Sequence, residues 1–337
     1  MEFAFTDEQA MIAETVQTFF RENATSERTR NAMAGSGIDR ALWTSFCGEL
    51  GLSGIGVSEE RGGVGLGMVE LSIVAEAGGA QVAALPLLGH VMACAAICAG
   101  GDDELITTWL PRLLAGEATA AVGQIDEYRS EGVRLSAVAD YVPHGATADV
   151  FIILRRTDAW LVLANDAGVS TTAHVTMDQT RPLASIAMAA ATAVPLPNGY
   201  AAVDAALKAG WMCLAAEALG GAQAALDRTV AYSQERVQFG RQIGSFQAYK
   251  HRLADLVVEI EQARSAVYWA ACAMDEQSAD VAIALHAAKS FAADTFFRCA
   301  ANMIQLHAAS PRTSWAICSR WELPFPRSVW IDRARLK

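Results

Sequence analysis

Residues 235–255 read Glu-Arg-Val-Gln-Phe-Gly-Arg-Gln-Ile-Gly-Ser-Phe-Gln-Ala-Tyr-Lys-His-Arg-Leu-Ala-Asp, and this run joins two long helical patterns. It places Arg236 at the end of the first helix and Gln247 in the first turn of the next. Arginine offers a planar fork of N–H donors to phosphate oxygens, and a glutamine amide can donate or accept. The run therefore predicts a joint between helices that suits an anionic ligand. The alternative is that Arg236 only interacts with the C-terminal end of its own helix.

Length and composition limit the classes of protein that this chain can belong to. It has 337 residues, of which 53% are hydrophobic and 19% charged. Two or three packed domains are expected at this length, and the composition is too apolar for a disordered chain. The formal net charge of -11 argues against nucleic acid or anionic lipid as a partner.

No targeting or metal-binding signal is visible in the sequence. The N-terminus lacks the basic start and continuous apolar core of a signal peptide, and apolar stretches are interrupted before the roughly 18 residues that span a bilayer. The seven cysteines form no CxxC pair and no ligand-spaced cluster with histidine. We therefore expect a soluble, cytoplasmic protein with buried, reduced thiols and no metal site.

Hydrophobic periodicity divides the chain into three regions. Residues 1–118 are predicted to form an N-terminal α-helical domain that includes a glycine-dense loop at 51–67. Residues 119–196 show short runs of period two and predict a small middle β-domain. Residues 197–337 carry long apolar stripes at spacings of three and four, which are typical of a four-helix-bundle-like domain. The predicted fold class is therefore α+β and multidomain.

Individual elements follow from the same patterns. Thr6 and Gln9 form a capping-box signature for the first helix. The runs at 151–154 and 160–163 predict a β-hairpin. Further helices are predicted at 39–50, 68–79, 86–100, 102–115, 202–236, from 245 onward, and 278–307.

The run at 235–255 resembles the R-x-Q-F-G-x-x-I-x-x-F-Q-x-x-x-H-x-x-A-D segment of acyl-CoA dehydrogenases. In that family the segment reaches across a subunit interface to the FAD of the neighbouring chain. The resemblance implies that Arg236, Gln238, Phe239 and Gln247 contact an FAD held mainly by a partner chain. The predicted order of helices, small β-domain and helix bundle is also the order of the acyl-CoA dehydrogenase fold.

A second family element, Q-x-x-G-G, is only partly present. Gln305 matches its glutamine, and the resemblance implies a contact with the adenosine part of the partner's FAD. Ala308 and Ala309 replace the two glycines, which adds methyl groups where the ligand would pass. His307 is interpreted as a helix-end histidine rather than a ligand.

The family segments that hold the flavin ring within one chain are not recognisable. Family members carry T-E-P-x-x-G-S-D and N-G-x-K-x-W-I-T-N stretches in the β-domain. The corresponding residues 124–135 and 139–149 match neither pattern. The small size of the predicted β-domain is consistent with residues having been lost between the two.

The catalytic base is also missing from the expected positions. Dehydrogenation of an acyl-CoA needs a carboxylate that takes the α-proton while FAD accepts the β-hydride. The resemblance places Gly210, or a neighbour, at the first family position of this base, and Asp204 and Glu217 lie out of register. No catalytic residue is expected in this chain; Glu322, after Trp321, is the one candidate for the second position.

Together these features resemble the short, non-catalytic subunit of actinobacterial α2β2 acyl-CoA dehydrogenases that act on steroid-derived CoA thioesters. The resemblance implies a longer paralogous partner, an FAD shared with it, an acyl-CoA substrate and an electron-transfer flavoprotein as acceptor. The isolated chain is expected to be inactive. Two alternatives remain: a homomeric flavoenzyme with a rearranged base, and a flavin-free structural subunit.

Overall fold

The computed structural model describes residues 5–307, and within them helices lie on both sides of a β-domain in the chain order. The sequence predictions for Glu322, Ala308 and Ala309 concern residues outside this range. The α-helices of the described part are α1 Asp7–Asn23, α2 Ser26–Ala34, α3 Arg40–Gly48, α4 Met68–Ala80, α5 Leu87–Gly100, α6 Asp103–Leu114, α7 Gly199–Glu235, α8 Gln247–Asp275 and α9 Val281–His307.

Side-chain hydrogen bonds at their N-termini explain where the first two helices begin. Thr6 accepts a hydrogen bond from the backbone N–H of Gln9, and the Gln9 side chain accepts one from the Thr6 N–H, so the predicted capping box is confirmed. The sequence reading missed α2, which is short and begins after Thr25, whose hydroxyl accepts from the Arg28 N–H. The predicted helix at 39–50 is shorter in the structure and ends at Gly48.

The β-domain is a mostly antiparallel sheet. Its strands are β1 Ala120–Gln124, β2 Tyr128–Glu131, β3 Arg134–Pro143, β4 Val150–Arg155, β5 Asp158–Leu163, β6 Val169–Ala173 and β7 Leu183–Pro195. The spatial order is β1-β4-β5-β7-β3-β2, with β6 also paired to β7, and β1 runs parallel to β4. The predicted hairpin is confirmed as β4 and β5, which pair antiparallel.

The sequence reading missed β7, although this strand pairs with three others. Its sequence is rich in alanine, which has a low preference for strands and hides the alternation of buried and exposed positions. The strand extends to Pro195, and four residues later α7 begins at Gly199, with the Asn198 side chain accepting from the Ala201 N–H.

Helix α7 is the centre of the molecule. It has 37 residues and packs against α4, α5, α8 and α9. The apolar stripes predicted for the C-terminal helices face the core: Leu214, Ala218, Ala222 and Ala225 on α7, Leu256, Ile260, Ala263 and Val267 on α8, and Leu285, Ala292, Phe296, Cys299 and Met303 on α9 are buried.

Helices α4 and α7 approach each other with their backbones in contact. A Cβ atom on Gly79 would lie 2.2 Å from the carbonyl oxygen of Glu217, and one on Gly220 would lie 1.9 Å from the carbonyl oxygen of Glu76. Both distances are far below van der Waals contact, and the opposing atoms belong to the backbone, which cannot rotate away. Only glycine at these two positions permits this crossing.

A buried ion pair ties the β-domain to the same point of α7. Arg181, just before β7, donates from Nη2 to both carboxylate oxygens of Glu217, at 2.7 and 2.6 Å, and the two side chains are 2% and 6% exposed. Burial disfavours the charged guanidinium, but the Glu217 carboxylate outweighs this and raises the pKa of Arg181. The pair ties the segment before β7, and with it the β-domain, to helix α7.

Replacing Gly220 by alanine should destabilise the fold, because the new methyl group would force α4 and α7 apart. We expect the free energy of unfolding to fall by about 1–3 kcal/mol or more, measured by urea denaturation. Gly48→Ala is the matched control, since a Cβ there meets nothing within 4 Å. An unchanged stability of the Gly220→Ala variant would contradict the close crossing.

Removing one partner of the buried ion pair should be strongly destabilising, because the other charge is left buried without its counterion. Glu217→Gln leaves the Arg181 charge without its carboxylate, so we expect a loss of about 3–5 kcal/mol in the free energy of unfolding. The double variant Arg181→Met with Glu217→Gln should be less destabilised than the sum of the two single variants. Strict additivity in this double-mutant cycle would mean that the two side chains are not coupled.

Candidate functional site

The run that joins α7 and α8 folds into a short β-hairpin. Helix α7 ends because Arg236 takes an extended conformation, with φ -73° and ψ 120°. Strand β8, Val237–Gln238, then pairs antiparallel with β9, Arg241–Gln242. The two-residue turn between them has positive φ at both positions, 54° at Phe239 and 76° at Gly240, as a type I′ turn requires.

Arg236 stands at the base of this hairpin and is exposed. Its backbone is held by two hydrogen bonds: its N–H donates to Tyr232 O, and its carbonyl accepts from the Ile243 N–H, both at 2.9 Å. Within residues 5–307 its guanidinium makes no hydrogen bond or ion pair. The alternative interpretation, in which this side chain binds the end of its own helix, therefore has no contact in the described structure to support it.

The tip of the hairpin presents an apolar ring to solvent. Phe239 is 93% exposed although phenylalanine is among the residues that most favour burial. Its ring meets Phe246 edge-on, with centroids 6.3 Å apart, and the Arg241 guanidinium lies 4.0 Å from the centroid of Phe246. These contacts support the loop from one side and leave the outer face of Phe239 exposed to solvent.

The other predicted cofactor-binding residues lie in strand β8 and on the neighbouring turns of α8 and α9. Gln247 is the first residue of α8 and is exposed, and the Gln238 amide donates to the carbonyl of Val237 at 2.7 Å. Gln305 is exposed on the last described turn of α9. This turn meets the end of α7, because the Tyr232 ring stacks on His307 with centroids 4.3 Å apart.

His307, interpreted from the sequence as a helix-end histidine, is the last residue of α9 that the structure describes. Its Nδ1 lies 2.7 Å from the carbonyl oxygen of Met303, one turn earlier on α9. The structure thus brings Arg236, Gln238, Phe239 and Gln247 into one exposed segment and places Gln305 on the last described turn of α9.

A separate cleft of about 1190 Å³ lies between the β-domain and helices α5 and α7. Its lining includes the sequence position that the family resemblance assigns to the base, Gly210. A Cβ at Gly210 would lie 2.7 Å from the sulfur of Met92, so a methionine from α5 occupies the space where a longer side chain would start. Around position 210, the glycine and Met92 therefore provide neither a carboxylate nor any other titratable group.

The two out-of-register carboxylates on α7 do not reach the cleft. Asp204 pairs with Lys208 at 2.6 Å, and Glu217 is taken up by Arg181. Neither is among the residues that line the cleft. The acidic residues that do line it, Asp126, Glu127 and Asp140, come from the β-domain.

The β-domain wall of the cleft lacks the two sequence stretches that hold the flavin ring in the family, although Tyr128, Ser136 and Tyr141 bring hydroxyl groups to its lining. A Cβ at Gly123 would be 2.8 Å from the Cβ of Ala139, so the strands are packed too closely here for a larger residue. The exposed hairpin carries a cation and amide groups, which suit the phosphates and ring edges of FAD.

The wall is also reshaped by a bulge in β3. The register between β3 and β7 shifts between Ala139 and Val142, and Tyr141 within the shift has φ 56°. This conformation is unfavourable for tyrosine and turns its ring toward the cleft, against His174 at 5.4 Å between centroids. Sequence reasoning missed Tyr141, because a bulge leaves no signal in the period of a strand.

Other types of site find no support among residues 5–307. No group of three or more histidine, cysteine, aspartate or glutamate side chains is arranged to hold a metal ion there. None of the helices in this part of the chain has the length and apolar character needed to cross a membrane. Its six cysteines are free thiols, and burial raises the pKa of Cys47 to about 12, so this thiol is unreactive near neutral pH.

Comparison with known proteins agrees with this architecture. Models of the acyl-CoA dehydrogenase N-terminal and C-terminal domains match residues 6–117 and 197–312. The acyl-CoA dehydrogenase IpdE2 of Mycolicibacterium smegmatis is 32% identical over 306 residues, covering 90% of this chain and 87% of the relative.

Two solved structures with similar folds are heteromeric by name. One is the ChsE4-ChsE5 complex from Mycobacterium tuberculosis, with a TM-score of 0.86 and 26% identity, covering 95% of this chain and 93% of the matched chain. The other is a Tcur3481-Tcur3483 steroid ACAD, with a TM-score of 0.84 and 28% identity, covering 93% and 92%. Models of both family domains match, and IpdE2 aligns with 90% of this chain. This chain therefore belongs to the acyl-CoA dehydrogenase family of FAD-dependent oxidoreductases.

Proposed function

We propose that this chain is a subunit of a heteromeric acyl-CoA dehydrogenase and completes the FAD site of a longer, catalytic paralogue. The observation that carries the proposal is an asymmetry: the hairpin with Arg236 is exposed and unpartnered within residues 5–307, while the chain's own cleft has Gly210 at the position of the base. In this proposal the hairpin is the retained half of a shared flavin site, and the cleft without the base is the half that no longer functions. The names of the ChsE4-ChsE5 and Tcur3481-Tcur3483 complexes support a heteromeric assembly.

Each proposed residue has a defined task toward the FAD. Arg236 supplies a planar cationic fork to the pyrophosphate, and Gln238, Gln247 and Gln305 supply amide groups to its polar edges. Phe239 covers apolar surface of the partner. The three proposed domains, 1–118, 119–196 and 197–337, place all five residues in the last.

In the assembled enzyme, bound FAD supplies hydride acceptance for the α,β-dehydrogenation of the acyl-CoA. This chain's residues bind and orient the cofactor and exclude water from it, and the partner provides the carboxylate that takes the α-proton. We further propose a bulky, steroid-derived thioester as the substrate, on the basis of the matched steroid ACAD, and an electron-transfer flavoprotein as the acceptor.

The central experiment compares the chain expressed alone with the chain co-expressed with a longer paralogue. Bound flavin and acyl-CoA-dependent dye reduction are measured for both preparations. We expect both signals only from the complex. Stoichiometric flavin and turnover from the isolated chain would instead establish a homomeric flavoenzyme, and a complex whose flavin site is complete without this chain would establish a structural subunit.

Arg236→Ala in the complex should weaken FAD retention by about 1.5–3 kcal/mol, because one charge-assisted contact is lost. This corresponds to roughly a tenfold to hundredfold increase in the Kd of FAD, measured by flavin release on dilution. Arg236→Lys keeps the charge but loses the planar pair of N–H donors, so its affinity for FAD should lie between those of the unaltered complex and the Arg236→Ala variant. Arg30→Ala, at another exposed arginine, is the control. Unchanged FAD retention in Arg236→Ala would show that the hairpin is only structural.

Phe239→Asn should weaken subunit association while preserving the hairpin. Asparagine followed by glycine is the preferred sequence for a type I′ turn, so the backbone at 239–240 is favoured and only the apolar ring is lost. We expect a loss of about 1.5–3 kcal/mol in association free energy, measured by analytical ultracentrifugation. Val175→Asn, at a fully exposed valine of the β-domain, is the control. Equal association of both variants with the partner would contradict an interface at the hairpin tip.

A further inference from the structure

Two of the residues proposed to contact FAD come from distant parts of the chain. Arg236 directly follows α7, whereas Gln305 lies on the last described turn of α9, and both are exposed. The Ile243 N–H donates to the Arg236 carbonyl at 2.9 Å and closes the base of the hairpin. Gln305 is separated from this hairpin by α8 and most of α9. Its position relative to Arg236 therefore depends on contacts between the ends of α7 and α9.

Tyr232 and His307 make such a contact. Their rings stack with centroids 4.3 Å apart and 23° between the ring planes, and the Tyr232 hydroxyl donates to the carbonyl of His307 at 3.4 Å. The Arg236 N–H donates to the Tyr232 carbonyl at 2.9 Å, and Gln305 is two residues before His307. The stack therefore connects the backbone that carries Arg236 to the turn that carries Gln305.

The His307 ring is also held by its own helix. Its Nδ1 lies 2.7 Å from the carbonyl oxygen of Met303, a buried residue one turn earlier. A carbonyl oxygen only accepts hydrogen bonds, so Nδ1 carries the hydrogen in this contact. The ring is thus fixed at one edge by α9 and on one face by Tyr232, and it cannot turn without losing one of the two contacts.

The first turn of α8 brings a third ring to the same place. Tyr249 is two residues after Gln247, and its hydroxyl is buried without a hydrogen-bond partner within residues 5–307. Burial and the nearby Tyr232 hydroxyl both raise the pKa of Tyr249. The helix ends that carry Arg236, Gln247 and Gln305 thus converge near Tyr232.

A second ring contact joins α7 and α9 far from the hairpin. The rings of Trp211 and His286 have centroids 4.8 Å apart and planes at 44°. Residues 211 and 232 are about 32 Å apart along the axis of α7, since each residue of a helix adds roughly 1.5 Å. The Trp211–His286 contact therefore ties the same two helices without lying beside any residue proposed to contact FAD.

We propose that Tyr232 and His307 are positioning residues for FAD, because their stack holds Gln305 at the place relative to Arg236 that one shared cofactor requires. Neither ring has to touch the FAD. Their role is to keep the end of α9 in place before the cofactor arrives, so that the Gln305 amide needs no rearrangement to bind it. The inference rests on the proposed function, since it assumes that Arg236 and Gln305 meet the same FAD.

The test measures FAD release on dilution of the co-expressed complex. His307→Leu removes the ring and should raise the Kd of FAD about three- to tenfold, which is the range expected for one lost neutral hydrogen bond. Tyr232→Leu breaks the same stack from α7 and should have the same effect. His307→Phe keeps a ring for the stack and should change the Kd by less than about twofold. His286→Leu, the matched control, should leave the Kd unchanged, and turnover per bound flavin should be the same in all four variants.

A double-mutant cycle with Gln305→Ala separates positioning from a general loss of stability. If His307 acts through Gln305, then Gln305→Ala should raise the Kd of FAD in the unaltered complex and change it little in the His307→Leu background. Equal effects of Gln305→Ala in both backgrounds would overturn the proposal. An unchanged Kd in His307→Leu, or an equal rise in His286→Leu, would overturn it as well.

Arg236→Ala distinguishes this inference from the proposed function. Weakened FAD retention in Arg236→Ala together with normal retention in His307→Leu would overturn the positioning role alone. Normal retention in both variants would overturn the proposed function and the inference with it.

Discussion

The buried ion pair between Arg181 and Glu217, in which one guanidinium nitrogen contacts both carboxylate oxygens, ties the β-domain to helix α7, and α7 contributes to both candidate sites. Glu217 lies where three parts of the molecule meet: its carbonyl touches α4 at Gly79, its backbone belongs to α7, and its carboxylate binds the segment before β7. A charge pair buried to this degree is stable only when both partners stay in place. The pair therefore opposes any movement of the segment before β7 away from α7.

That fixed position gives the two ends of α7 different roles. Toward its N-terminal half the helix forms the floor of a cleft with α5 and the sheet, and the cleft contains Gly210. At its C-terminal end the helix stops at Glu235 and the chain turns outward into a hairpin. One half of the helix thus serves a pocket within the chain, and its end serves a surface that another protein can reach. The exposed Phe239 and the base-free cleft are consistent with a chain that contributes to a site it does not itself contain.

The fold was largely predictable because its helices carry regular apolar stripes and its helix ends carry capping residues. The stripes on α7, α8 and α9, the hairpin of β4 and β5 and the capping box at Thr6 all have local signals. Strand β7 was not predictable in this way, because its many alanines give no local strand signal. The strand forms by pairing with three other strands, which the local sequence does not reveal. The sequence located the segment of Arg236 and Gln247 between two helices, but it did not reveal that these side chains are exposed.

The contact between Met92 and Gly210 has a consequence for variants of this chain. A Cβ atom at position 210 would lie 2.7 Å from the sulfur of Met92, which belongs to a flexible side chain, whereas the atoms opposite Gly79 and Gly220 belong to the backbone. A larger residue at position 210 therefore requires only that Met92 adopt another rotamer, while a larger residue at position 79 or 220 requires two helices to separate. The cleft side of α7 can accept new chemical groups more easily than the side that crosses α4.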